Sequence, residues 1–463
     1  MKGSTSAKAA IRENPNYRWY ALGAVMLGTL MAPLDASIAN VALPTIGRAF
    51  HTPVDSTEWV LISYMLTTAS TLVLFGRLGD LIGQKRVYTA GFAIFGLASA
   101  GCAFAPSFLV LVLARAVQGI GSAMLMSSSP AIITNAFPDK ERGRAIGLNG
   151  AAVAVGLSLG PLLGGAIVTY ADWRWIFLIN VPIAIAALAI SAFVLKREQR
   201  KSEGFDFAGA ALAFSGLFAV SLALSRAHAW GWTSARTIGA IAYALCAIPA
   251  FLWLERRIKT PMLDLELFKN RTFAFSVLAG TVFFCAMYCV VFTVPLAAQT
   301  ALGRTGFQAG LLLLPVSALN VVLAPAAGAI SDRVPARYVS SAGALVMVAG
   351  ALLLAFLPAH PTTFALVAAL AVTGAGTAVF NQPNNSTIMG SAPAQRRGIA
   401  AGMLATARTS GQLLGVCVAG AIYFLREQQL RSQPHSFAPA TTVFFAVAAL
   451  MIVVTFLSYT RES

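Results

Sequence analysis

Charge is what this 463-residue sequence has least of: Asp, Glu, Lys and Arg make up 11% of it and hydrophobic residues 57%, against the roughly 25% charge usual in soluble domains. None of the four charged types occurs from Val87 to Ala114, from Thr272 to Gly303, or from Tyr338 to Gln395. Runs of that length exclude a chain dissolved in water and call for lipid as the solvent. The last is long enough for two apolar helices, broken at Leu357-Pro-Ala-His-Pro-Thr-Thr363. The four histidines (His51, His228, His360, His435) are scattered near predicted outer loops and make no catalytic cluster. The five cysteines all fall in apolar segments without His or carboxylate company, which argues against a disulfide framework or a metal site. No Gly-x-x-x-x-Gly-Lys-Ser/Thr phosphate loop is present, so ATP is not expected as the energy source.

What is present is a formal net charge of +16. Numbering the apolar segments from an inside N-terminus, 24 of the 33 Lys and Arg residues fall in inner segments, 7 in outer segments and 2 inside spans. That one-sidedness is the positive-inside bias of a membrane protein and not a nucleic-acid footprint. The N-terminal tail carries Lys2, Lys8, Arg12 and Arg18 but no recognisable cleavage site, so the first apolar segment reads as an uncleaved span.

Segments of about 20 apolar residues recur, the length of a membrane helix and not of the shorter alternating strands of a barrel. The expected fold is an all-α polytopic membrane protein of fourteen transmembrane helices. A tail covers 1–18, a six-helix bundle 19–195, linkers with an inserted helix pair (about 206–226 and 236–257) 196–271, a second six-helix bundle 272–460, and a tail 461–463. An internal repeat supports the division: Gly76-Arg77-Leu-Gly-Asp80, followed by Lys85 and Arg86, is echoed by Gly328-Ala-Ile-Ser-Asp332, followed by Arg333 and Arg337.

The motifs carry the chemistry. Gly156, Gly160 and Gly164, spaced by four, share a helical stripe where backbones can approach, and Pro161 beside them removes a helical hydrogen bond; Gly165 closes the run. The stripe also fits a passive packing seam. Asp35, in Leu34-Asp35-Ala-Ser-Ile-Ala-Asn40-Val-Ala-Leu-Pro44, is the one carboxylate placed well inside a span. A carboxylate in low dielectric responds strongly to burial and to a nearby cation, which suits proton coupling; a structural ion pair is the alternative. Arg115, in Leu111-Val-Leu-Ala-Arg115-Ala-Val-Gln118, needs a carboxylate, carbonyls or water, and Asp35 or Gln118 could supply part of that. Arg408 has no acid in its own half and is expected to meet carbonyls, water, Asn or substrate. Asn381, Gln382, Asn384 and Asn385 break an apolar span and either line a polar cavity or bond between helices. Phe283, Phe284, Tyr288 and Phe292 suit either a lipophilic cavity wall or a lipid-facing surface.

Together these motifs resemble the major facilitator superfamily, and within it the fourteen-span drug:proton antiporter branch. Trp173-Arg-Trp-Ile-Phe-Leu-Ile-Asn180-Val-Pro182, Asp206-Phe-Ala-Gly209 and Pro261-Met-Leu-Asp-Leu-Glu-Leu-Phe268 extend the likeness over nearly the whole chain. The resemblance implies a fold of two six-helix bundles plus two central helices, and a proton-coupled exporter of drugs or metabolites. By the resemblance, Asp35 and Arg115 couple the proton. Gly76, Arg77, Asp80, Lys85, Arg86, Gly328 and Asp332 make a conformational latch, with topology anchoring as the plainer role of its basic residues. Gly156, Gly160, Pro161, Gly164 and Gly165 form the antiporter motif. Substrate-binding candidates are Asn40, Gln118, Phe284, Tyr288, Phe292, Asn381, Gln382, Asn384 and Arg408. Two span arginines against one aspartate favour a lipophilic neutral, zwitterionic or singly charged substrate. No cofactor, metal or nucleic acid is expected; proton and membrane lipids are the partners of a functional monomer in a bacterial inner membrane, both termini cytoplasmic. A dedicated metabolite exporter, an uptake transporter, and a membrane enzyme or scramblase are the alternatives.

Overall fold

The computed structural model describes residues 14, 16–196, 207–258, 265–331, 333–393, 396–430 and 436–461. Asp332, the predicted tail residues 1–13, 15, 462 and 463, and the predicted linker residues 197–206 and 259–264 lie outside that range. The described residues form helices and no strands. The long helices are α1 (Tyr17–Ala49), α2 (Trp59–Ile82), α3 (Gln84–Ala103), α4 (Phe108–Ala136), α5 (Asp139–Tyr170), α6 (Asn180–Val194), α7 (Phe207–Trp230) and α8 (Ala235–Glu255). They continue with α9 (Arg271–Thr300), α10 (Leu314–Ser331), α11 (Ala336–Ala355), α12 (Thr363–Ser391), α13 (Arg397–Gln429) and α14 (Ala438–Thr460). Short turns, Val54–Thr57, Trp175–Leu178 and Gly306–Leu312, lead into α2, α6 and α10.

Eleven of these segments are long and apolar enough to cross a membrane; α3, α7 and α13 are not among them. Lys85 and Arg86 occupy the first turn of α3, and α13 carries Arg408, Gln412 and a run of small polar residues, so their composition falls below that of their neighbours. Helix ends are set locally. Ser107, Ser234 and Thr362 accept from backbone N–H groups in the first turns of α4, α8 and α12, and Thr305 with Gln308 forms a capping box. The α2–α3 turn is the single residue Gly83 at φ 101°, a conformation that an L side chain resists.

Helices α1 to α6 pack mainly on one another, as do α9 to α14. The pair α7–α8 joins the body through α7, which touches α2 of the first group and α13 of the second. The two groups meet where α1 faces α9, α5 faces the lead-in to α10, and α2 and α4 face α13. These contacts are tightest at the end remote from the Lys- and Arg-rich loops: Cβ atoms added at Gly165 and Gly310 would lie 2.4 Å from Gly306 O and 2.2 Å from Pro161 O. Toward the basic end, added Cβ atoms at Gly147, Gly150, Gly328, Gly390 and Gly402 would meet nothing within 4 Å.

Two contacts tie the basic end of the second group. Arg461 is buried, its Nη1 donating to Asn384 Oδ1 at 3.0 Å and Ser276 Oγ at 3.3 Å and its Nη2 to Ser340 Oγ at 3.3 Å, so the end of α14 locks onto α9, α11 and α12. In the connector before α9, Glu266 Oε2 accepts from Arg396 Nη1 at 2.8 Å, and that bond holds the Glu266 carboxyl below its usual range. The contact is therefore present at neutral pH and is lost as acid protonates the carboxyl.

Candidate functional site

Asp35 lies two residues past Pro33 on α1, where the helix has given up one backbone bond, and its side chain is fully buried. Arg115 on α4 is fully buried as well, and its Nη1 donates to Asp35 Oδ2. The other carboxylate oxygen accepts from Gln118 Nε2 at 3.0 Å and from Asn180 Nδ2 on α6 at 2.6 Å. Arg115 also donates from Nε to the Val60 carbonyl at 2.9 Å and from Nη1 to Gln118 Oε1 at 2.7 Å, and Gln118 Nε2 reaches Ser99 Oγ on α3 at 2.8 Å. The sequence spacing of Arg115 and Gln118, three residues apart on one helix, puts both on the face turned to α1. A charge taken out of water costs several kcal/mol unless it is paired and hydrogen-bonded, and this pair has both.

Neither Asp35 nor Arg115 lines the cavity between the two helix groups, and Tyr64 touches both the pair and that cavity. The Arg115 guanidinium sits 4.2 Å from the centroid of Tyr64, whose hydroxyl lies 2.8 Å from Ser122 Oγ and donates to the Ala32 carbonyl at 3.0 Å. Tyr64 also lines a cavity of about 20 Å³ together with Ala36, Thr68, Ser122, Arg408 and Gln412, room for about one water. Arg408 is the cation of that lining and has no carboxylate partner among the described residues.

The other predicted residues take distinct places. Gly156, Gly160 and Gly164 press on α1, not on the second group: added Cβ atoms would lie 2.5 Å from Leu30 O, 1.8 Å from Ser37 Oγ and 2.5 Å from Ile38 O. Gly165 and the Pro161 carbonyl lie on a different face of α5 and meet Gly306 and Gly310 across the groups. One helix thus grips the Asp35 turn with one face and the second group with the other. Asp80 is exposed and accepts from Gln84 Nε2 at 2.9 Å, while Lys85 Nζ caps α6 through the carbonyls of Ala192, at 2.8 Å, and Leu195. Gly76 has only Ser127 near, at 3.8 Å from an added Cβ, and Arg86 is exposed.

Phe284, Tyr288 and Phe292 are buried and line neither lipid nor this cavity; Phe284 and Tyr288 pack α9 onto Gly411 and Gly415 of α13. Phe283 stacks on Phe380 with centroids 4.3 Å apart. Asn384 serves Arg461, Asn381 Oδ1 accepts from Asn385 Nδ2 at 3.2 Å, and Gln382 is exposed. Asn40 is buried, yet neither atom of its amide has a partner among the described residues. This sets a contrast: Asn180→Ala removes a donor to a charged group and is expected to lower stability by about 1.5–3 kcal/mol, whereas Asn40→Leu is expected to be neutral or stabilising. Thermal unfolding in detergent measures both, and equal losses would show that Asn40 has a partner of its own.

Three polar residues stood outside the predicted set. Asn180 lies in the recognised Trp173 to Pro182 segment, and its placement as the only amide in an apolar run was the available signal. Tyr64 gives no pattern signal. Glu58, which the sequence places at the edge of the second span, is completely buried.

The family model of the Major Facilitator Superfamily matches residues 25–416 and 276–462. The chain is 37% identical over 410 residues to the "Uncharacterized transporter YebQ" of Escherichia coli (strain K12), covering 87% of this chain and 88% of that one. It is 35% identical over 398 residues to the "Multidrug resistance protein Stp" of Mycobacterium tuberculosis (strain CDC 1551 / Oshkosh), covering 86% and 74%. The solved structure of a "D-xylose-proton symporter" superposes with a TM-score of 0.68 at 14% identity, over 96% of this chain and 98% of that one, and so shares the fold. An all-helical body with this topology, a buried acid–base pair and matches of this extent have one conclusion: the chain belongs to the Major Facilitator Superfamily, as a multi-pass membrane transporter and not an enzyme.

Proposed function

We propose that this transporter is a proton-coupled exporter of the fourteen-span drug:proton antiporter branch, working by alternating access in a bacterial inner membrane with the Lys- and Arg-rich loops cytoplasmic. The observation that carries the reading is the buried Asp35–Arg115 pair, in contact with Tyr64, which lines the same cavity as Arg408. Substrate entering the cavity displaces Tyr64, which opens the ion pair to water; a proton on Asp35 cancels its charge and releases Arg115 to other acceptors. Helix α5, clamped to both α1 and the lead-in to α10, carries that change to the other group.

Arg408 offers a fixed positive charge to an acceptor or anionic group on the substrate, which favours neutral, zwitterionic or singly charged molecules over dications. A relative named for multidrug resistance supports export. Proton entry across about 100 mV supplies about 2.3 kcal/mol, and each pH unit about 1.4 kcal/mol, enough for substantial accumulation of a neutral molecule. The test is proton release from acid-loaded, inside-out proteoliposomes on adding members of a chemically varied panel. Release triggered by at least one transported compound is the expected result; substrate movement without proton movement would remove antiport from the reading and leave the transporter.

A further inference from the structure

Glu58 stands between the turn Val54–Thr57 and α2, and it is completely buried at the end remote from the basic loops. Its Oε1 accepts from Ser225 Oγ on α7 at 2.5 Å. Its Oε2 has no hydrogen-bond partner among the described residues and lies against the α13 backbone, where a Cβ added at Gly420 would come within 1.9 Å. The charged and titratable groups that face it are Asp55 on its own turn, Arg226 on α7 and Cys417 on α13, while Glu427 on α13 faces Asp55. None makes an ion pair with it among the described residues. Arg226 turns instead to Ser56 Oγ at 3.5 Å and lies 6.0 Å from the Trp59 ring centroid.

An ionised carboxylate presents about four acceptor sites, and here one hydroxyl fills one of them. A bare charge left in so dry a seam costs several kcal/mol, whereas a neutral acid needs only the Ser225 bond it has. The seam itself is built from three separate parts of the fold: α2 of the first group, α13 of the second, and α7 of the inserted pair, whose role is otherwise unassigned. None of these residues belongs to the Asp35 network.

We propose that Glu58 is a second proton-binding site, filled when this end of the transporter is sealed and emptied when α2 and α13 part there, with α7 as the wall that keeps it dry. The inference rests on the alternating access proposed above, and it does not require that Asp35 carry protons. A proton binds the carboxylate oxygen from the water on the remote side as the seal forms. It returns to the same water when the seal opens, so no net charge crosses the membrane through this site. The sealed form holds one proton more than the open form, so acid favours sealing and the sealed-to-open ratio changes by up to about tenfold per pH unit. Glu58 therefore sets the pH at which the remote end closes without changing the number of protons moved per substrate.

The experiment is electron–electron distance measurement between nitroxides on Phe104→Cys and Gln428→Cys, both exposed at the remote end of opposite groups. The background has the five native cysteines replaced, in lipid nanodiscs without substrate or gradient. Between about pH 5 and about pH 9, the wild-type pair is expected to pass from one short distance to a mixture with a longer one. Glu58→Gln, neutral and of equal size, is expected to hold the short distance throughout, and Asp35→Asn to keep a pH-dependent distance with a displaced midpoint. A wild-type distance distribution that does not respond to pH overturns the proposal, with no variant needed; so does a titration that survives Glu58→Gln. In proteoliposomes, Glu58→Gln is expected to move the same number of protons per substrate as wild type, and a reduced ratio also overturns it. A wild type that moves no protons but whose seal titrates removes the antiport reading and leaves this site standing.

Discussion

Asp35→Asn is expected to reduce substrate-triggered proton movement by at least about tenfold, a change of about 1.4 kcal/mol, while the fold persists. The amide has the volume of the carboxylate and keeps an acceptor for Gln118 or Asn180, but it cannot take up and release a proton at neutral pH. Arg115, buried with its Nη1 on Asp35 Oδ2, then loses its counter-charge. A stranded buried charge costs about 3–5 kcal/mol, so the melting temperature should fall. Asp35→Asn combined with Arg115→Gln removes both charges and is expected to recover much of that stability without recovering proton movement. The split between the two readouts is what identifies coupling: a purely structural pair would lose and regain stability and transport together. Full proton movement in the single variant would sink the assignment.

The second large effect is a comparison of adjacent glycines. An added Cβ at Gly164 would lie 2.5 Å from Ile38 O, inside the first group; at Gly165 it would lie 2.4 Å from Gly306 O and 2.9 Å from Phe307 Cα, across the two groups. The close atoms are backbone in both, so neither clash is relieved by a side chain swinging away, and overpacking costs about 1–3 kcal/mol. Gly164→Ala strains every state in which α1 and α5 touch and is expected to lower thermal stability. Gly165→Ala strains only the arrangement in which α5 meets the lead-in to α10. It should shift the population away from that sealed arrangement by about 5–150-fold, with little loss of melting temperature. Thiol accessibility at the remote end and thermal unfolding separate the two. Equal behaviour of the variants would mean that α5 is a passive seam on both faces.

These predictions mark where sequence reasoning reached the site and where it stopped. Asp35, Arg115 and Gln118 were legible because an ionisable or amide side chain in a charge-poor run stands out against lipid, and because residues three apart must share a helix face. Their convergence on one carboxylate was not legible. It depends on how α1, α4 and α6 pack, and Asn180 and Tyr64 enter the site only through that packing. The glycine stripe was legible as a close approach, but which neighbour approaches was not. The stripe grips α1, and the contact between the groups falls to Gly165 and the Pro161 carbonyl one face over. The amide run at Asn381 reads in one dimension as either a cavity lining or a set of bonds between helices; in three, Asn384 donates to the Ser276 carbonyl of α9 and anchors the buried Arg461.

The sequence by itself determined that this is a helical, multi-pass membrane protein, because the free energy of placing about 20 residues in lipid depends on composition and hardly on neighbours. It also determined which side chains are costly enough in lipid to need a purpose. Only the tertiary structure decided who satisfies them, since hydrogen bonds and ion pairs act over about 3 Å and are set by helix rotation and depth, which no local pattern encodes. Glu58 is the plainest case. Its position at the edge of a span is consistent with a solvated carboxylate, and the meeting of α2, α7 and α13 makes it a buried one.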